Sequence, residues 1–214
     1  MPTLTQLRTL AFWRYFLRLQ LGLFLFGVAV SLMLEAHIGL DPWSALHDVL
    51  SARTGLSFGR ITQGIGLLLI LGSALALSVR PGLATVCNML LIGPWVDLLR
   101  VQPWFPGQSG VLGGSVQFVG GILVTGLATA VYIGAGMGAG PRDGLAMGLS
   151  RRISRSLRAT RIGIEATVLA LAFVLGGSIG LGTILFALLM GPVMQANLHL
   201  FGVSTDPSPR AATS

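Results

Sequence analysis

The sequence has no lysine, a single cysteine and very little charge of either sign. Each shortage excludes a class of chemistry. Without lysine there is no side-chain amine for a Schiff base or a lysine nucleophile. One cysteine, Cys87, rules out an intramolecular disulfide and a cysteine-cluster metal site, and reads as an apolar filler of a helix interior. Charged residues make up 10% of the 214 and hydrophobic ones 53%, against roughly 25% charged in ordinary soluble domains. Together with a mean hydropathy of +0.80, that leaves too few charges to build a water-soluble surface. The class is therefore an all-α polytopic membrane protein.

The charges are also bunched. No Asp, Glu, Lys or Arg occurs between Arg18 and Glu35, Arg60 and Arg80, Arg80 and Asp97, Arg100 and Arg142, or Glu165 and Asp206. A bilayer core takes about 20 mostly apolar residues per helix. Spans are expected near residues 12–36, 61–79, 82–99, 113–137, 161–177 and 181–200. The first apolar run continues into Glu35 and His37 without a small-residue cleavage pattern, so it is expected to stay in the mature protein.

All fourteen basic residues are arginine, and most of them flank apolar runs. The formal charge of +7 therefore reports topology by the positive-inside bias, not nucleic acid. Arg8, Arg14 and Arg18 precede the first span, and Arg151, Arg152, Arg155, Arg158 and Arg161 crowd one later connection. Both regions are expected to face the cytoplasm. In that connection Leu145, Leu149, Ile153 and Leu157 recur every four residues, as in an amphipathic helix lying on anionic lipid headgroups. A loop that merely sets orientation accounts for it equally well.

The sequence also repeats itself at a spacing of roughly one hundred residues. Gly39-Leu40-Asp41-Pro42 corresponds to Gly138-Ala139-Gly140-Pro141, Gly59-Arg60-Ile61 to Thr160-Arg161-Ile162, Gly82-Leu83-Ala84-Thr85 to Gly180-Leu181-Gly182-Thr183, and Ile92-Gly93-Pro94 to Met190-Gly191-Pro192. Two tandem structural repeats are expected, residues 12–100 and 113–201. They are preceded by a cytoplasmic segment, 1–11, joined by a linker, 101–112, and followed by a disordered tail, 202–214. Each repeat would hold a transmembrane helix, a short helix and two further transmembrane helices.

The short helix is the informative element. Asp41 before Pro42 supplies an N-cap and then the proline favoured at the first helical position. The run from Pro42 to Arg53 contains His47 and Asp48 and is short and polar for a lipid-facing span; its counterpart after Pro141 carries Arg142 and Asp143. Ionisable groups and broken backbone at membrane depth persist only inside protein or around a wet cavity. Both short helices thus read as re-entrant or half-membrane. If they are re-entrant the halves are inverted, and if they cross the halves are parallel; both schemes place both termini in the cytoplasm, and the re-entrant one is preferred.

Paired, interrupted helices in corresponding positions point to a transporter's binding site. The candidates for substrate binding are Asp41, Trp43, His47 and Asp48 with Arg142 and Asp143. Asp41 serves as a simple cap just as well. Glu165 lies four residues after Arg161, a spacing that favours an intrahelical ion pair over a proton-coupling carboxylate. Gly93-Pro94 and Gly191-Pro192 each free a carbonyl one turn earlier and are candidate hinges or shape constraints. His37, His47 and His199 are too scattered for a metal motif, and no catalytic signature occurs. Accordingly no catalytic residue, metal or cofactor is assigned, and the chain is not read as an enzyme.

The Gly39 to His47 stretch, Thr54-Gly55-Leu56-Ser57-Phe58-Gly59, and Gly82 to Thr85 through Gly93-Pro94-Trp95-Val96-Asp97 resemble the YczE/YitT-type bacterial membrane proteins. The likeness runs from about Leu17 to Leu200. It implies a multi-pass protein of the bacterial inner membrane. The second repeat departs from the pattern, with Arg142-Asp143 where the first has Trp43-Ser44, so whether both short helices share a role is open. Two functions remain: a small-solute or ion-coupled permease with its site between the repeats, or an accessory protein that assembles a partner complex at the membrane. The expected partners are the lipid bilayer, anionic headgroups at Arg151 to Arg161, an unknown small solute and a second copy of the chain.

Overall fold

A computed structural model describes residues 9–107 and 110–201. The expected disordered tail and residues 1–8 of the N-terminal segment lie outside the described residues. The described residues form eight helices and no strands: α1 (Leu10–Leu34), α2 (Pro42–Thr54), α3 (Phe58–Leu77), α4 (Leu83–Arg100), α5 (Val111–Ile133), α6 (Pro141–Ile153), α7 (Leu157–Val174) and α8 (Leu181–Leu200). Five of them, α1, α3, α4, α5 and α8, are long and apolar enough to cross a bilayer. The sixth expected span falls on α7, whose 18 residues carry Arg158, Arg161 and Glu165. Its apolar run is correspondingly weaker.

Small residues let the long helices approach closely, as in other membrane bundles. α1 and α5 run antiparallel: Gly22 lies against Tyr132, and Gly121 against Met33. α4 runs beside α1 in the same direction, with Gly27 against Trp95 and Glu35 paired to Arg100. α3 lies antiparallel to α4, where the Gly59 N–H donates to Asp97 Oδ1 at 2.9 Å. α8 follows α5, Gly182 lying by Phe118 and Gly126 by Val193 and Asn197. The buried core joins Leu19, Leu23, Met33, Trp43, Phe58, Val96, Phe118 and Ile122.

These contacts define the two ends of the bundle. α1 stops at the end where α4 stops and α3 begins, so the chain from Glu35 to Ser57 leaves and returns at one end and α2 does not cross. At the other end α5 stops beside the start of α4, since the Ala84 N–H donates to Met137 O at 3.0 Å. α7 finishes beside α2, where Arg53 Nε donates to Leu175 O at 3.0 Å. α7 therefore starts at the end where α5 stopped, and α6 returns as α2 does.

The two interruptions are built alike. Each short helix has 13 residues with proline first and a left-handed residue as C-cap, Gly55 or Ser154. Each is preceded by a glycine at positive φ, Gly39 at 111° and Gly138 at 117°. Gly39 has no room for a side chain, because a Cβ would stand 2.6 Å from Gly180 N. Threonines from a distant helix hold both loops: Thr85 Oγ1 donates to Ala139 O at 2.6 Å, and Thr183 Oγ1 to Leu40 O at 2.7 Å.

The expected single amphipathic helix from Leu145 to Leu157 does not form. Ser154 takes a left-handed conformation (φ 53°), and Ser156 caps a new helix through a bond from Ala159 N. The stripe is thus split between α6 and α7, and Ile153 and Leu157 are both exposed.

Candidate functional site

The starts of α2 and α6 meet α7 and bring most of the expected site residues together. Asp41 is buried and caps α2, its Oδ1 accepting from Ser44 N at 3.2 Å. One turn of helix then carries Trp43 into the junction. Arg142, the second residue of α6, reaches it from the other side, with Cζ 4.8 Å from the centroid of the Trp43 ring. That is cation–π range, worth roughly 0.5–2 kcal/mol. The Trp43 side chain also lies close to the carboxylate of Glu165 on α7.

Charge completes the junction. Arg142 lies in the field of Asp41, Glu165 and Asp143. Among the described residues, however, its guanidinium has no ion-pair or hydrogen-bond partner, the Trp43 face being its contact. Asp143 is taken instead by Arg161, Nη2 to Oδ1 at 3.0 Å. The sequence spacing favoured Arg161 with Glu165; the structure corrects this pairing, because α6 delivers Asp143 to Arg161 across the α6–α7 contact. Glu165 is left with Trp43 and the longer-range charges of Asp41, Arg142 and Arg161. Three carboxylates thus face two guanidiniums.

His47 stands beside this group, its ring 6.4 Å from Trp43 and 5.6 Å from Phe58. It is 2% exposed; Nδ1 lies 3.0 Å from Thr62 Oγ1, and Nε2 has no partner among the described residues. Asp48 is not part of the junction. It lies in the field of Arg100, His37 and Glu35, where Arg100 Nε donates to Glu35 Oε1 at 2.6 Å. Gly93 packs on the Gly59 backbone within α4, whereas nothing lies within 4 Å of a Cβ placed on Gly191. Pro94 and Pro192 both sit inside helices that run through them.

A model of a family of unknown function, DUF6198, matches residues 12–198. The chain belongs to the DUF6198 family. It is 35% identical over 178 residues to the uncharacterized membrane protein YczE of Bacillus subtilis, covering 83% of this chain and 82% of that one. It is 31% identical over 179 residues to an uncharacterized protein of Haemophilus influenzae, covering 84% and 81%. A second Bacillus subtilis protein, YyaS, is 28% identical over 182 residues, covering 85% and 89%. The resemblance read from the Gly39 to His47 stretch agrees with the first of these. No solved structure matches.

For this DUF6198 chain, Tyr132 is the junction residue that sequence reasoning missed. Its hydroxyl is buried without a hydrogen-bond partner among the described residues. It gathers with Asn88 Nδ2 and Asp143 Oδ2 around Gly140, all within 3.5 Å of where a Cβ would stand. The available signal was a polar-tipped aromatic in the last turn before the second interruption. Among the described residues no cluster of His, Cys, Asp and Glu could hold a metal.

Proposed function

We propose that this chain is a small-solute transporter of the bacterial inner membrane, with its solute site at the α2–α6–α7 junction. The observation that carries this is Arg142. A guanidinium inside a bilayer is costly and is normally paired; here it rests on the Trp43 face with its donors unspent, beside two helix starts. Such a group binds an anionic or strongly accepting part of a solute through charge-assisted hydrogen bonds. The excess carboxylate, with Glu165 outside direct ion pairing, supports coupling to a proton or a small cation.

The architecture we infer is an inverted duplication of residues 12–100 and 113–201, each half crossing three times around one re-entrant helix. Supporting it are the matched interruptions and the reciprocal threonine clamps, each reaching from one half to the loop of the other. Orientation follows from arginine: Arg18, Arg80, Arg151, Arg152, Arg155 and Arg158 belong to the end where α1 starts, and Arg53, Arg60 and Arg100 to the opposite end. The positive-inside bias then puts both termini in the cytoplasm. The competing role, a scaffold for a partner complex, is favoured by the run of exposed residues from Arg151 to Ala159.

Two measurements separate these roles. In a Cys87→Ser background, Glu165→Cys and Arg142→Cys should react with a membrane-impermeant maleimide, and a panel of small solutes should include one carried by reconstituted vesicles. A junction sealed to the reagent, together with flux no greater than in empty vesicles across the panel, would leave only the scaffold.

A further inference from the structure

A second concave site lies apart from Arg142. A cavity of about 330 Å³ opens between the end of α3, the start of α4 and one face of α6. Much of its wall is apolar, with Ile70, Val79, Pro81 and Met147, but its charged members are of one sign. Arg80 and Arg151 both line it, and no carboxylate does. Both arginines are exposed. Among the described residues Arg151 bonds through Nε alone, to Met147 O at 3.3 Å, which leaves its terminal nitrogens without a partner.

Two further features select for an anion. The first turn of α4 lies in the wall through Gly82 and Thr85, and its N-cap is a glycine with no side chain to offer. The positive end of the helix dipole favours negative charge there, with the Gly82 and Ala84 N–H groups themselves held by Thr85 Oγ1 and Met137 O. Independently, Ser73 lines the cavity, is 4% exposed, and carries an Oγ without a hydrogen-bond partner among the described residues. Leaving a buried hydroxyl unsatisfied costs roughly 1–3 kcal/mol, so the partner of this one is expected from outside the chain.

We propose that this cavity binds a phosphate group. A tetrahedral polyanion takes donors from several directions at once, which two guanidiniums and a hydroxyl provide beside the positive end of α4, and the apolar wall suits the glycerol and first carbons of a phospholipid. Of the arginine-rich connection only Arg151 takes part, so the site is a built pocket and not a diffuse basic surface. The phosphate has two natural sources, an anionic phospholipid headgroup or a free phosphate compound.

Titration of the full-length protein in neutral detergent with phosphatidylglycerol, phosphatidylcholine and inorganic phosphate, followed by native mass spectrometry and thermal shift, tests this. One phosphatidylglycerol should be retained per chain, more tightly than phosphatidylcholine. Arg80→Gln with Arg151→Gln should weaken it about tenfold or more and Ser73→Ala about threefold, as lost charge-assisted and neutral hydrogen bonds would. Arg60→Gln, at the other end of the bundle, should change nothing. Competition by inorganic phosphate assigns a soluble source, and its failure to compete assigns the lipid. Equal binding to wild type and to the double arginine variant, no preference for phosphatidylglycerol over phosphatidylcholine, or no binding of either phosphate source overturns the proposal. Should Ser73→Ala misfold, the exposed arginine pair decides alone.

Discussion

The break before α2 and the break before α6 share a backbone and differ in what they do with charge. Both follow a glycine at positive φ, both open on proline and both are clamped by a threonine from another helix. At the first, Asp41 satisfies the helix start and every residue from Asp41 to His47 is buried. At the second, Gly140 leaves the helix start without a side-chain cap, and Arg142 and Asp143 remain partly open. One break spends its polar group on the fold, whereas the other keeps a cation available. The same geometry therefore does not imply the same role.

The sharpest way to break this comparison is at Arg142. On the proposed transport role, Arg142→Gln should cut solute flux about tenfold or more, the loss of one charge-assisted contact, while the thermal midpoint changes little. Asp48→Asn, on the far face of α2 in the field of Arg100 and Glu35, should stay within about twofold, as loss of a longer-range charge interaction would. Equal losses from both variants would remove the distinction between the junction and the outer ion cluster.

The two loops differ in their backbone packing as well. Gly39→Ala should cost about 3 kcal/mol or more, since it adds a clash with Gly180 to the strain of a positive φ. Gly138→Ala should cost less, about 1–2 kcal/mol, because its nearest neighbour, Gly82 Cα, stands at 3.3 Å. Reversible unfolding in mixed detergent reads both, and a reversed order would show that the second loop is the tighter one.

Smaller effects separate cap from charge. Asp41→Ala should cost about 1 kcal/mol and Asp41→Asn only a fraction of that, because asparagine caps as well as aspartate. If the asparagine variant is as unstable as the alanine one, the carboxylate matters through Arg142 and not through Ser44. Thr85→Val and Thr183→Val should each cost about 0.5–1.5 kcal/mol and add within about 0.5 kcal/mol, the clamps being separate. A double variant far from the sum would mean that the two loops move together.

Much of the fold was legible because bilayer insertion writes itself into composition. Expected spans at 12–36 and 181–200 correspond to Leu10–Leu34 and Leu181–Leu200, since long apolar runs permit little else. Proline after a capping residue marked the start of α2, and its repetition marked α6. Pairing was less legible. Arg161 has Glu165 at the right spacing along its own helix, yet Asp143 from α6 takes it, because a partner on a neighbouring helix competes with one on the same surface. Asp48 could have been separated from Trp43 by reading the helix: five positions turn the chain by about 140°, which sends the two side chains apart.

Periodicity and local chemistry, acting over a few residues, were enough to determine a bundle of apolar helices with two proline-led breaks. Which polar groups meet depended on how those helices rotate and pack. Trp43 meets Arg142, and Thr183 reaches Leu40 across 143 positions of sequence. Burial of an apolar face is decided locally, but a charge or a hydroxyl at depth needs a partner in space, and only the assembled bundle decides whether it has one.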